Sequence, residues 1–165
     1  MKNLLFLAIA LVMFGCNSNA QQEKKQKVYP VSKTESEWKA ELSPSEFQVL
    51  RAKGTERAFS SELLNIEKPG TFVCAACGNP IYTTQYKFNS GTGWPSFDRA
   101  TFDDNVNYRP DRTGGYPAIE VICGRCGGHL GHVFNDGPKK TTGKRHCING
   151  VALDFIPDEK EGPQK

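Results

Sequence analysis

Two Cys-x-x-Cys pairs, Cys74-Ala-Ala-Cys77-Gly78 and Cys123-Gly-Arg-Cys126-Gly127, oblige two segments far apart in this chain to meet, and nothing else in it constrains the fold as strongly. Two-residue spacing lets both thiolates of a pair face one metal ion. The glycine after the second cysteine permits the turn that brings backbone amides toward sulfur. Four sulfurs close a tetrahedral zinc site with no open position for water or substrate, so the one Zn2+ expected there is structural and clamps two β segments. Disulfides are the competing reading, favoured by an oxidising compartment. Against them, vicinal Cys-x-x-Cys disulfides are strained and easily reduced. A catalytic dithiol in one pair is disfavoured because both pairs carry the same metal-knuckle pattern.

Two of the six cysteines remain, Cys16 and Cys147. Residues 1–16 read as a targeting segment: Lys2 is the positive start, Leu4 to Phe14 the apolar run, and Gly15 the small residue before Cys16. The run is short for a bilayer span. Its ending resembles a bacterial lipoprotein signal, which would leave Cys16 lipidated and the protein anchored in the cell envelope, facing the periplasm or the exterior; an ordinary secretory signal is the alternative. Residues 17–33, rich in Asn, Ser, Gln and Lys, are expected to be a flexible tether. The net charge of +3 is small, and Lys24, Lys25, Lys27 and Lys33 fall in or beside this tether, so nucleic-acid binding has little electrostatic support.

A single domain is expected over residues 34–158, followed by a polar tail at 159–165. Thr34-x-x-Glu37 and Ser43-Pro44-x-Glu46 are consecutive capping boxes and predict two short helices, with Trp38, Leu42, Phe47 and Leu50 packing inward and Gly54 stopping the second. From Gly70 onward, short β-branched and aromatic runs (71–73, 119–122 and 151–156) are broken by Gly, Pro, Asn and Asp, which predicts a mainly β remainder. No dinucleotide or phosphate-loop fingerprint is present.

Cys147 lies in Arg145-His146-Cys147-Ile148-Asn149. Strand alternation places Arg145, Cys147 and Asn149 on one face, with Val151, Leu153 and Phe155 further along it. A thiol at the rim of a core, with Arg145 and Lys144 nearby to favour the thiolate, suits a nucleophile. A buried structural cysteine is equally consistent with this strand alone. His129 and His132 follow the second knuckle closely, Asp136-Gly137-Pro138 comes next, and Ser90-Gly-Thr-Gly-Trp94-Pro-Ser-Phe97 is a glycine-rich turn presenting an aromatic.

In this order these motifs resemble the B-type peptide methionine sulfoxide reductases, over roughly Thr34 to Asp158. The resemblance implies a mainly β fold of two antiparallel sheets with small N-terminal helices, a structural zinc, and thiol-dependent reduction of the R epimer of methionine sulfoxide in oxidised proteins and peptides. It further implies that Cys147 is the nucleophile, that His132, His129 and Asn149 surround the sulfoxide oxygen with His132 the first choice of acid, that Arg145 assists the thiolate, and that Trp94, with Phe97 or Phe134, receives the methyl group. Many family members have a resolving cysteine where this chain has Thr92, so a thioredoxin-like reductant is expected to act directly on a Cys147 sulfenic acid. Members usually carry Tyr at His146, a difference expected to matter only at the rim or in reductant docking. A non-catalytic zinc-ribbon-like binding module is the alternative from another class.

Overall fold

The computed structural model describes residues 27–115 and 117–159. The expected signal segment, residues 17–26 of the tether and most of the C-terminal tail lie outside the described residues. Two short helices open the domain, α1 (Glu35–Glu41) and α2 (Pro44–Leu50), each begun by a complete capping box on Thr34 or Ser43. Their reciprocal side-chain and backbone hydrogen bonds satisfy amides that a seven-residue helix cannot pair internally. Gly54 is not the stop: α2 ends at Leu50, and the left-handed residue after it is Lys53. Among the described residues no helix is long and apolar enough to cross a membrane.

Among the described residues nine strands follow. They are β1 (Gly70–Cys74), β2 (Pro80–Thr83), β3 (Lys87–Phe88), β4 (Ser96–Phe97), β5 (Val106–Asp111), β6 (Ala118–Cys123), β7 (His129–Phe134), β8 (Arg145–Ile148) and β9 (Leu153–Pro157). They form two antiparallel sheets, ordered β2-β1-β9 and β3-β4-β8-β7-β6-β5. The mainly β expectation, with two antiparallel sheets and small N-terminal helices, is therefore met. The last apolar run is not one strand, however. β8 ends at Ile148, the chain turns through a 3-10 segment at Gly150–Ala152, and β9 joins the other sheet. Leu153 and Phe155 therefore do not extend the face of Cys147.

Aromatic side chains join the sheets. Phe72 of β1 meets Phe97 of β4 edge-on at 5.1 Å, and Tyr82 of β2 stacks on Phe97 at 4.2 Å. All three are fully buried, and such burial contributes roughly 1.5–3 kcal/mol per large apolar side chain. Both methionines of the chain stand at positions 1 and 13, so this core contains no thioether. Trp38 of α1 lies between Lys33 and Arg51, each cation 4.9 Å from the ring, and Arg51 also donates to the Cys126 carbonyl. Described residues ahead of Thr34 also contact the domain: Lys27 bonds Asn107, the Val31 amide donates to the Arg125 carbonyl at 2.9 Å, and Tyr29 packs so closely on Gly127 that a Cβ there would lie 2.5 Å from its ring. The glycine of the second knuckle thus provides a seat for the end of the expected tether.

His146 opposes Cys147, as alternation requires, but the opposite face is core and not rim. Its ring lies between Tyr82 and Tyr108, with Nδ1 3.1 Å from the Tyr82 hydroxyl. Burial pushes its pKa down to about 4, outweighing Asp103 and Asp98, which favour the charged form. The unfolded chain takes up this proton near 6.5, so between these values unfolding binds a proton and stability rises with pH. We expect wild type to lose about 2 kcal/mol of unfolding free energy between pH 7 and pH 5 through this group. Urea unfolding of His146→Phe should lack that component, and equal pH slopes in the two proteins would show that His146 does not carry it.

Candidate active site and metal centre

The knuckles converge. Cys74 and Cys123 are the last residues of β1 and β6, and all four sulfurs lie within 4.8 Å of one another. Cys74 and Cys126 are separated by 3.7 Å between sulfurs, Cys77 and Cys123 by 3.6 Å. A disulfide needs about 2.05 Å, whereas the edge of a tetrahedron with metal–sulfur bonds near 2.3 Å is about 3.8 Å. The thiols therefore fit a four-coordinate metal and no disulfide. Gly78 and Gly127 adopt left-handed backbone (φ 67° and 73°), and each knuckle is closed by the same bond, from the first cysteine's amide to the carbonyl five residues on. Asn79 adds an amide directed at Cys123 Sγ, 3.6 Å away.

The second centre is built on strand register. In an antiparallel sheet, paired residues project to the same side. Ser96, Cys147, His132, Glu120 and Arg109 are successive partners across β4, β8, β7, β6 and β5, so they form one row on the face away from the aromatic core. His129 is three residues from His132 and would face the other way in a regular strand. An irregularity in the β6–β7 pairing leaves Leu130 unmatched and brings both imidazoles to one side, 5.2 Å apart. Gly131 is required between them, since a Cβ there would lie 2.1 Å from the Cys147 carbonyl oxygen.

This face opens into a cavity of about 450 Å³ whose walls include Cys147, His129, His132, Trp94, Asn149, Arg145 and Phe134. Phe97 does not contribute: it is fully buried on the opposite face, between Phe72 and Tyr82. Each imidazole has its own carboxylate. His129 Nδ1 is 3.0 Å from Glu120, and His132 Nε2 is 2.8 Å from Asp111. Burial alone would raise the Glu120 carboxyl, but hydrogen bonds from His129, Arg109 and Lys53 hold it down at about 2. Asp111 is held well below the ordinary carboxylate range by its bond to His132, helped by the Thr113 amide and hydroxyl. An ionised carboxylate only accepts, so the nitrogens facing them carry hydrogens, leaving His129 Nε2 and His132 Nδ1 for other contacts.

Cys147 is half-buried, and burial pushes its thiol up. The Arg145 charge, with hydrogen bonds from Thr92 and Arg145, opposes this without overcoming it. Arg145 does favour the thiolate, as expected, but burial outweighs it. Arg145 is itself neutralised by a two-pronged pair with Asp136, both contacts 2.9 Å, and Lys144 turns away to Asn135. The Arg145 guanidinium lies 4.7 Å over the Phe134 ring. Thr92 heads a chain of hydroxyls through Ser90 to Ser96, each link 2.8 Å. Asn149 is buried: its Oδ1 accepts from the Glu56 amide and its Nδ2 donates to the Leu130 carbonyl, both at 3.0 Å.

Sequence reasoning missed Glu120, Asp111, Lys53 and Glu56. Only Glu120 left a signal, as an acidic residue inside the apolar run 119–122.

The SelR domain family model matches residues 42–157. A protein of Methanosarcina barkeri named peptide methionine sulfoxide reductase MsrB is 51% identical over 134 residues, covering 81% of this chain and 93% of its own length. Proteins of the same name from Methanosarcina mazei and Chromohalobacter salexigens are each 47% identical, covering 82% and 78% of this chain and 96% and 97% of their own. The solved Mis18 "Yippee-like" domain superposes with a TM-score of 0.46 at 17% identity, covering 56% of this chain and all of that one, too low a score to carry an argument.

Proposed function

Because the chain belongs to the SelR domain family and is similar over most of its length to MsrB-type peptide methionine sulfoxide reductases, we propose that it reduces the R epimer of methionine sulfoxide in oxidised proteins and peptides, with Cys147 as nucleophile. The observation that carries this reading is the placement of Cys147 directly across the strand pair from His132, on the wall of a cavity that Trp94 also lines.

In the first step the Cys147 thiol gives up its proton and its sulfur attacks the sulfoxide sulfur. Oxygen is a poor leaving group until protonated, so a positioned acid lowers the barrier. His132 is the first choice to supply that proton, as in the family the chain resembles; it lies directly across the strand pair from Cys147, and Asp111 holds its Nε2. The protonated oxygen then moves from the methionine sulfur to the Cys147 sulfur as the sulfur–sulfur bond made by the attack breaks; the electron pair of that bond stays with methionine, which leaves with Cys147 as sulfenic acid. Asn149 and His129 hold the oxygen, partly through water, and Trp94 and Phe134 receive the methyl and side-chain carbons. Reduction follows when an external thiol, of thioredoxin type, attacks the sulfenic sulfur; water is released and a mixed disulfide forms, which a second thiol of the reductant then opens.

The metal in the four-thiolate centre is zinc in this reading, and it supplies structure alone since the site has no fifth position. The protein is exported and held in the bacterial cell envelope through a lipid on Cys16, residues that lie outside the described chain.

The test uses separate R and S sulfoxide peptides with dithiothreitol. Turnover of the R epimer alone is expected, and stoichiometric peptide sulfoxide without reductant should leave Cys147 able to react with a sulfenic acid probe and no disulfide within the chain. Turnover of both epimers, or a Cys147 disulfide to another cysteine of the chain, would overturn the corresponding part of the scheme.

A further inference from the structure

Among the described residues, two that are not glycine have left-handed backbone, Lys53 (φ 58°) and Phe59 (φ 63°). Such conformations cost free energy and persist where their surroundings enforce them. Both bracket the loop after α2, and both are fastened to the site. Lys53 Nζ lies 3.2 Å from Glu120, and the Phe59 amide donates to the Gly93 carbonyl at 2.8 Å. Ala58 and Phe59 also press on Gly93, where an added Cβ would meet each of them at 2.9 Å.

Between these anchors Glu56 makes four hydrogen bonds. Its carbonyl accepts from Trp94 Nε1 at 3.2 Å, and its amide donates to Asn149 Oδ1 at 3.0 Å. Its carboxylate accepts from the amides of Gly150 at 2.6 Å and Val151 at 2.8 Å. One residue therefore holds two walls of the cavity through its backbone, while its side chain holds that backbone against the segment that follows Cys147. Nothing in the reaction scheme above uses Glu56.

We propose that Glu56 is a positioning residue that sets where Trp94 and Asn149 stand relative to Cys147, and so governs how the sulfoxide side chain is held. The proposal rests on the reductase reading for its substrate. Glu56→Gln keeps the size of the side chain but turns an NH2 group toward a backbone amide, so donor meets donor and one of the two carboxylate contacts opens. The Glu56 backbone is then free to shift, and small displacements of substrate-holding groups cost one to two orders of magnitude in efficiency.

For Glu56→Gln we expect KM for an R-sulfoxide peptide to rise about tenfold with a smaller fall in kcat. A second readout needs no turnover. In a Trp38→Phe background Trp94 is the sole tryptophan, and its emission should move to longer wavelength in Glu56→Gln as the indole loses the Glu56 carbonyl. Trp38→Phe is a suitable background because Trp38 Nε1 is buried with no hydrogen-bond partner among the described residues. Glu62→Gln removes the same charge from a nearby exposed position and should leave KM and emission unchanged. If Glu56→Gln does not fold, Glu56→Asp replaces it; the shorter carboxylate reaches one amide, and an intermediate shift in both readouts is expected.

A lower melting temperature with unchanged KM and unchanged Trp94 emission would make Glu56 purely structural and overturn the proposal. If the wild type reduces neither epimer while the emission shift is present, the brace stands and the reductase reading fails. If the wild type turns over and both readouts are unchanged in the variant, the reductase reading stands and the brace fails.

Discussion

Replacing Cys147 by serine is expected to abolish sulfoxide reduction and leave the fold intact. The proposed reaction needs a sulfur that can attack sulfur and then carry the transferred oxygen as sulfenic acid; a serine hydroxyl is a far weaker nucleophile and has no comparable oxidised state. Removal of a serine nucleophile in another enzyme costs on the order of 10⁶ in kcat, so turnover should fall below detection. Stability should change little. The side chain is half-buried at a cavity wall, serine is nearly isosteric, and the change leaves no large void, so the unfolding free energy should stay within about 1 kcal/mol of wild type. Product analysis on an R-sulfoxide peptide, beside a thermal melt, measures both quantities. Undiminished turnover in the folded variant would remove Cys147 from the mechanism.

The second large effect is on the fold itself. Changing Cys126 to serine, or stripping the metal under denaturing conditions and refolding without it, should give a chain with no bound metal and no cooperative thermal transition. Cys74 ends a strand of the three-stranded sheet and Cys123 a strand of the six-stranded one, so a metal held by all four thiols would tie the two sheets together. Binding of a structural zinc in small domains is worth roughly 10–16 kcal/mol and appears as folding free energy, comparable to or greater than the whole net stability of a typical domain, about 5–15 kcal/mol. Without the ion, four mostly buried thiols remain packed together with no cation to hold them. Metal content and calorimetry on the same samples test this, and a metal-free protein that still melts cooperatively at the wild-type temperature would show that the aromatic core alone holds the sheets.

Local chemistry in the sequence carried much of the fold. The capping boxes at Thr34 and Ser43 and the two knuckles act within six residues of chain, and each appears in the structure where its pattern lies. Parity along β8 correctly separated Cys147 from His146. What stayed hidden was set by register and by partners far away in the chain. His129 and His132 share a face only because Leu130 is unmatched against β6, and no spacing rule for a regular strand allows that. Phe97 sits in a motif whose Thr92 and Trp94 line the cavity, but its parity opposite Ser96 sends it into the core. Asp111 and Glu56 reach the site from loops and strand ends that carry no pattern of their own, and their roles emerge only once His132, Trp94 and Asn149 are placed beside them.

The aromatic core, built without a thioether, has a further consequence for a repair enzyme. Oxidation of a core methionine loosens packing as a flexible apolar side chain becomes polar. With the chain's two methionines at positions 1 and 13, the domain holds nothing that its own chemistry would need to mend. It cannot compete with its clients for its own catalytic turns, and in the proposed scheme the one sulfur it must have restored is that of Cys147.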